Sequence, residues 1–206
     1  MPGGSETYAR ALTRALAEHG ELEYAAFVPP AAPDAGDGLP TELVAEYRPA
    51  RTLPQRFAAM ALAGVRGGPI RARLDRAAAV HYPLTIALPE SRKPFAVTLH
   101  DVLHLDRPEL FPRWERTLRK VAYDRSVRRA RVAIVPSAFV RERAVELLGL
   151  DPARVHVAPH GIDHDLFRPG EEPREPFLLY PARSWPHKNH ARLFEAFARA
   201  RLADRS

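Results

Sequence analysis

Apolar residues along the chain fall into short blocks that switch between a helical and a strand spacing. The first block carries Tyr8, Leu12, Ala15, Leu16 and His19, which recur at the period of one helix face. Ser5 stands where an N-cap belongs, and Glu6 lies in the first turn, where a negative charge suits the helix dipole. Gly20 follows at the favoured stop position. Residues 22–28 then read as a strand. The Pro-, Gly- and Asp-rich stretch 29–40 reads as a loop.

The alternation continues to the end. A short strand is expected around 43–47, within 41–49. Helices are expected over 55–65 and 70–79, divided by Gly67, Gly68 and Pro69. Strands follow at 79–82 and 95–99. A long helix over 113–129 is predicted with Trp114, Leu118, Val121 and Ala122 on one face. A strand at 131–135 leads to a helix capped by Ser137 and closed by Gly149, with Leu150 placed for the apolar contact of a Schellman motif. Another strand spans 155–158, and a last strand and helix are expected at 177–180 and from Asn189 onward. Strands alternating with helices predict an α/β fold with a mainly parallel, Rossmann-like sheet. The charged, Pro-rich stretch 168–176 reads as a linker. Three regions are therefore expected: 1–168, a linker over 169–176, and the beginning of a second unit at 177–206.

Composition narrows this picture. The chain has 206 residues and 46% hydrophobic positions, enough for a real core, so disorder is not the default. It contains no cysteine, which excludes disulfides, thiolate metal sites and a thiol nucleophile. No apolar run approaches the length of a membrane span, and the first residues lack the pattern of a signal peptide. A cytoplasmic protein is the simplest expectation. A net charge of +6 and a pI near 10.0 suit anionic partners, although arginines spread over solvated helix faces explain the charge equally well. No helix-turn-helix, zinc or aromatic RNA-binding signature accompanies the charge, so nucleic acid is not an expected partner.

In open α/β sheets, ligands bind at the carboxyl ends of strands. Four segments there carry chemistry. Gly3 and Gly4 precede the first helix, where glycines permit close approach and free N–H groups attract an anion. A plain turn is the competing reading, yet such a loop ought to follow a strand, and none precedes it here. After the 95–99 strand come His100, Asp101, His104 and Asp106. His100 can hydrogen-bond a substrate hydroxyl or take its proton, with Asp101 to orient a partner. A satisfied loop histidine is the second reading and a metal site the third. After the 155–158 strand, Gly161 suggests a turn with positive φ and Asp163 a cap, with His160 and His164 unpromising as ligands. In the last segment, Arg183 and Lys188 form R-x-x-x-x-K between a strand and a helix capped by Asn189. Two cations beside a helix N-terminus suit a diphosphate.

Together "GGSETYARALTRAL", "VTLHD", "VPSAFVRERAVELLGL", "RVHVAPHGIDHDLFRP" and "LLYPARSWPHKNHARLFEAF" resemble, in this order, the retaining glycosyltransferases of family four. The resemblance covers nearly the whole chain. Its Thr-x-His-Asp strand end is similar to the mannosyl- and rhamnosyl-type enzymes of surface polysaccharide synthesis. It implies a GT-B fold, with two Rossmann-like domains facing across a cleft, and a hexose transferred with retention from a nucleotide-diphosphate sugar to a hydroxyl acceptor. The acceptors implied include lipid-linked glycans, with peripheral contact at the inner face of the cell membrane. No metal or other cofactor is implied. Carried onto this chain, His100 and Asp101 would be catalytic, and Gly3, Gly4, Arg183 and Lys188 would meet the donor diphosphate. The Ser137 helix would be structural.

This chain also departs from the family pattern. His160 stands where the family has asparagine, the strand before Gly3 is absent, and no two glutamates have the E-x(7)-E spacing. These departures imply a fragment, inactive by itself, covering the N-terminal domain and the start of the C-terminal one. The alternative is a non-catalytic Rossmann-like module that pairs with a separate chain or a membrane. For the latter, residues 53–74 carry Arg56, Arg66, Arg71 and Arg73 among apolar positions, although two helices covering the sheet are the simpler reading.

Overall fold

The strand blocks pair as parallel ladders. The computed structural model describes residues 4–46, 67–170 and 176–203. Strands β1 (Ala26–Val28) and β2 (Thr41–Leu43) form a two-stranded parallel sheet. Strands β3 (Val80–Tyr82), β4 (Phe95–Thr98), β5 (Val132–Val135) and β6 (Val155–Val157) form a four-stranded parallel sheet in that order. The register sets Val80 opposite Phe95, Ala96 opposite Val132 and Ala133 opposite Val155. The α/β, Rossmann-like class expected from the alternation is the one observed.

Central strands of a parallel sheet are covered on both faces, which is why β4 and β5 are runs of Phe, Val, Ile, Ala and Thr. Their Val97 and Val135 join Leu99, Leu148, Ile70 and Val44 in one core. Helix α1 (Gly4–His19) lies at the carboxyl end of the sheet, and α2 (Gly68–Leu74) buries Ile70 and Leu74. Between β4 and β5 run α3 (Leu103–Asp106), α4 (Arg113–Arg119), a π-helical turn (Lys120–Asp124) and α5 (Arg125–Arg129). Helix α6 (Ala138–Leu148) connects β5 to β6, and α7 (His190–Ala203) comes last. No helix among the described residues is long and apolar enough to cross a membrane.

The α6 signals are realised in full. Ser137 Oγ accepts from the Val140 N–H at 3.3 Å, Gly149 adopts φ 61°, and its N–H reaches the Val145 carbonyl at 3.0 Å. Leu150 is buried behind it. Gly20 acts differently from a left-handed stop. A Cβ there would lie 2.3 Å from both the Leu16 carbonyl oxygen and the Tyr24 ring, so close approach is what requires glycine.

Several expectations need correction. Helix α1 already includes Gly4, so Ser5 sits inside it and does not cap it. Strand β1 is confined to three residues of the expected 22–28, because only these find partners in β2. Strand β2 starts at Thr41, earlier than expected, for the same reason. The predicted 55–65 helix and most of the arginine-bearing segment 53–66 lie outside the described residues, as does 171–175 of the linker. The long helix forms, but the π-helical turn shifts its register by adding a residue to one turn. Trp114 and Val121 are exposed, while Ala122, Asp124, Ser126 and Val127 face inward. Residues 177–180 are not in a strand, since no neighbouring strand lies beside them, and Phe177, Leu178 and Leu179 are exposed.

Candidate functional site

Four loops and one helix converge at the carboxyl ends of β3, β4 and β6. Helix α1 contributes Tyr8, β3 contributes His81, and β4 contributes Thr98 and, just past its end, His100. The turn after β6 contributes His160. The rings pack against one another. Tyr8 meets His100 edge-on at 5.0 Å and His160 at 4.6 Å, and the two imidazoles are 5.7 Å apart. Beneath them, Thr98 Oγ1 is the shared polar centre, 2.8 Å from His81 Nε2 and 3.3 Å from the Tyr8 hydroxyl. Thr98 itself is 1% exposed.

Hydrogen bonding fixes the state of His100. Its Nε2 lies 2.8 Å from the Pro83 carbonyl oxygen, which can only accept, so Nε2 carries the hydrogen. In the neutral ring, Nδ1 is then a lone pair available to an incoming hydroxyl. His81 is held below its ordinary imidazole value by burial first and by His100 second. His160 is lowered by the same two causes, in the same order. The cluster thus presents neutral nitrogens and aromatic faces near neutral pH, which is a surface for hydroxyl-bearing, ring-shaped molecules.

Most of the other sequence candidates have separate occupations. Asp101 does not orient His100; its Oδ1 accepts from the Leu103 N–H at 2.9 Å and starts α3. His104 Nε2 donates to Asp124 Oδ1 at 3.0 Å, and Asp106 pairs with Arg143. The four His and Asp residues of 100–106 therefore point to four different partners, and the metal reading gains no cluster from them. Asp163 caps its turn as expected, accepting from the Asp165 and Leu166 N–H groups. Gly161 does not take positive φ.

Gly4 faces open space within this chain, so a Cβ there would meet nothing; Gly3 lies outside the described residues. Arg183 and Lys188 are exposed, with the Arg183 guanidinium 5.9 Å from the Trp185 ring centroid and the Lys188 carbonyl accepting from the Tyr180 hydroxyl at 2.9 Å. Asn189, at φ 53°, precedes α7 in a left-handed conformation, not in the extended one of an N-cap. No described hydrogen bond, ion pair or ring contact joins this segment to the Tyr8 cluster.

Three members of the cluster were missed in the sequence. His81 and Thr98 sit inside strands, where alternation marks them as mere positions of a sheet. Tyr8 looks like part of the apolar face of a helix. Their one available signal is place, since all lie at or face a strand's carboxyl end.

A family model described as Glycosyltransferase Family 4 matches residues 2–166. Among solved structures, the chain is similar to the Anabaena protein Alr3699/HepE, crystallised in complex with UDP and glucose. The TM-score is 0.51 and the identity 18%, over 83% of this chain and 45% of that one. The chain thus spans less than half the length of that structure, and the likeness is one of fold. No curated protein matches the chain in sequence.

Proposed function

The chain belongs to Glycosyltransferase Family 4, and on that premise we propose that it forms the acceptor-side domain of a retaining hexosyltransferase. The reaction moves a sugar such as mannose or rhamnose from a nucleotide-diphosphate donor to a hydroxyl, in polysaccharide or glycoconjugate synthesis. The observation that carries this is the Tyr8–His100–His160 cluster at the carboxyl ends of β4 and β6. His100 Nδ1 accepts the hydrogen of the acceptor hydroxyl, and the rings of Tyr8 and His160 hold the acceptor's apolar face.

Segment 177–203 begins the donor-side domain. As the glycosidic bond to phosphate breaks, negative charge builds on the leaving diphosphate, and Arg183 and Lys188 stabilise it. These cations serve where other transferases use a metal. Gly3 and Gly4 let the diphosphate approach the start of α1. The 206-residue chain by itself lacks turnover in this division of labour.

The imidazole resonances of the chain provide the test. Titration with hexoses and small polyols should shift His100 and His160 but not the distant His19, and His100→Ala should abolish the response. Imidazoles indifferent to every sugar and to nucleotide-diphosphate hexoses would overturn the assignment. Robust sugar transfer by the chain alone would overturn the division between domains.

A further inference from the structure

A second concave site shares no residue with the Tyr8 cluster. It is a cavity of about 360 Å³ beside α4 and the π-helical turn. Arg113, Arg116, Thr117 and Lys120 form its wall, and His104 forms its floor. The wall residues follow the i, i+3, i+4, i+7 spacing of one helix face, so three cations and a hydroxyl point the same way. No carboxylate lines the cavity. The acidic groups nearest in sequence are already engaged: Glu115 by Arg119, Asp106 by Arg143 and Glu109 by Arg107. Arg113, Arg116 and Lys120 have no ion pair among the described residues.

Two buried polar atoms here lack partners, His104 Nδ1 and Arg116 Nε. The His104 side chain is 1% exposed, and its Nε2–H is committed to Asp124. Its remaining nitrogen therefore has no protein group to meet. An unpaired buried N–H, such as that of Arg116, is unfavourable and rare in folded proteins. The π-helical turn joins the two halves of the site: it starts at Lys120 on the wall and ends at Asp124 behind the floor. Such turns recur at functional sites.

We propose that this cavity binds a phosphate-class anion, either free phosphate or a phosphate monoester. Arg116 Nε–H, Arg113 and Lys120 donate to its oxygens. His104 Nδ1 completes the set in either protonation state: the neutral ring accepts a P–OH hydrogen, and the charged ring donates to P–O⁻. Three positive charges match a dianionic phosphate better than a carboxylate, which brings one charge and no hydrogen. The inference stands apart from the proposed sugar transfer, since no cluster residue takes part.

Calorimetric titration of the whole 206-residue chain with inorganic phosphate tests it. Binding around 1 mM or tighter is expected, with Arg116→Gln and Lys120→Gln each weakening it about tenfold. Lys120 is exposed, so its variant should fold as the parent does, and circular dichroism melts check this. Absence of phosphate binding, or binding unchanged in Lys120→Gln, overturns the proposal. Co-sedimentation with phosphatidic acid vesicles, against phosphatidylcholine vesicles, identifies the source. Pelleting that free phosphate competes away supports the proposal with a lipid headgroup as ligand. Phosphate binding without pelleting supports it with a soluble phosphate.

Discussion

Replacing Thr98 by valine tests whether the polar centre beneath the ring cluster is a working part of the fold. Valine keeps the branched shape and removes only the hydroxyl. The Thr98 carbonyl, which accepts from the Thr85 hydroxyl at 2.7 Å, is unaffected. Two contacts go: His81 Nε2 at 2.8 Å and the Tyr8 hydroxyl at 3.3 Å. Tyr8 is only half-buried and can turn to water, so its loss counts little. His81 is largely desolvated, and burial is the first cause of its lowered pKa, so its ring nitrogen is left stranded. Stranding a buried polar atom costs about 1–3 kcal/mol, and the extra methyl returns part of that, so a net loss of about 1–2 kcal/mol is expected. With a urea m-value of about 2 kcal/mol/M, the midpoint should fall by roughly 0.5–1 M. Urea unfolding followed by far-ultraviolet circular dichroism reads this directly. The decisive comparison is the same substitution in a His81→Phe background, where no imidazole nitrogen remains to be stranded. There Thr98→Val should cost less than about 0.5 kcal/mol, giving a coupling near 1 kcal/mol. An equal cost in both backgrounds, or a stabilising Thr98→Val, would refute the reasoning.

Acidification should also act through the cluster. His81 and His160 are held below their ordinary value of 6.5 in the folded chain, so the unfolded state binds more protons below that pH. Their contribution is full above about 6.5 and is lost as pH falls through their lowered folded values. Denaturation midpoints should therefore drop on going from neutral to mildly acidic buffer, with a shallower drop in His81→Asn; a rise on acidification would contradict this. At α6, thermal melts should show Ser137→Ala losing about 1 kcal/mol from the missing cap. Gly149→Ala should lose roughly 1–2 kcal/mol, because alanine resists the left-handed backbone at φ 61°. Melts unchanged by either substitution would mean that these ends do not hold the helix.

Where the determinants are local, the chain could be read directly. The Ser137 cap and the Gly149 stop each act within four residues, and both formed as expected. The apolar blocks of β3 to β6 were legible because a parallel sheet demands continuous burial. The ends of β1 and β2 were not, because ladder partners decide them: residues 22–25 have the composition of a strand and no strand to pair with. The same dependence leaves 177–180 unpaired. The π-helical turn defeated the face assigned to 113–129, since one added residue rotates everything after it and no residue type announces it. Asp101 was a plausible orienting group by adjacency alone, yet its side chain is committed two residues onward to the Leu103 N–H.

The candidate site shows the other limit, that of spacing. His100 was found because it ends a strand, but its partners come from positions 8, 81, 98 and 160, which only the fold brings together. Their assembly changes what His100 can do. Its Nε2–H is fixed on the Pro83 carbonyl, so the lone pair on Nδ1 is the one free to receive a hydroxyl hydrogen. The positive charge of a proton arriving there disfavours protonation of His81 and His160, both of which already sense His100. The cluster therefore behaves as one acceptor of a single proton, not as three independent bases. A hydroxyl bound over Tyr8 and His160 would pass its hydrogen to His100 while its other neighbours stay neutral, keeping the acceptor oxygen's lone pairs free for the sugar carbon.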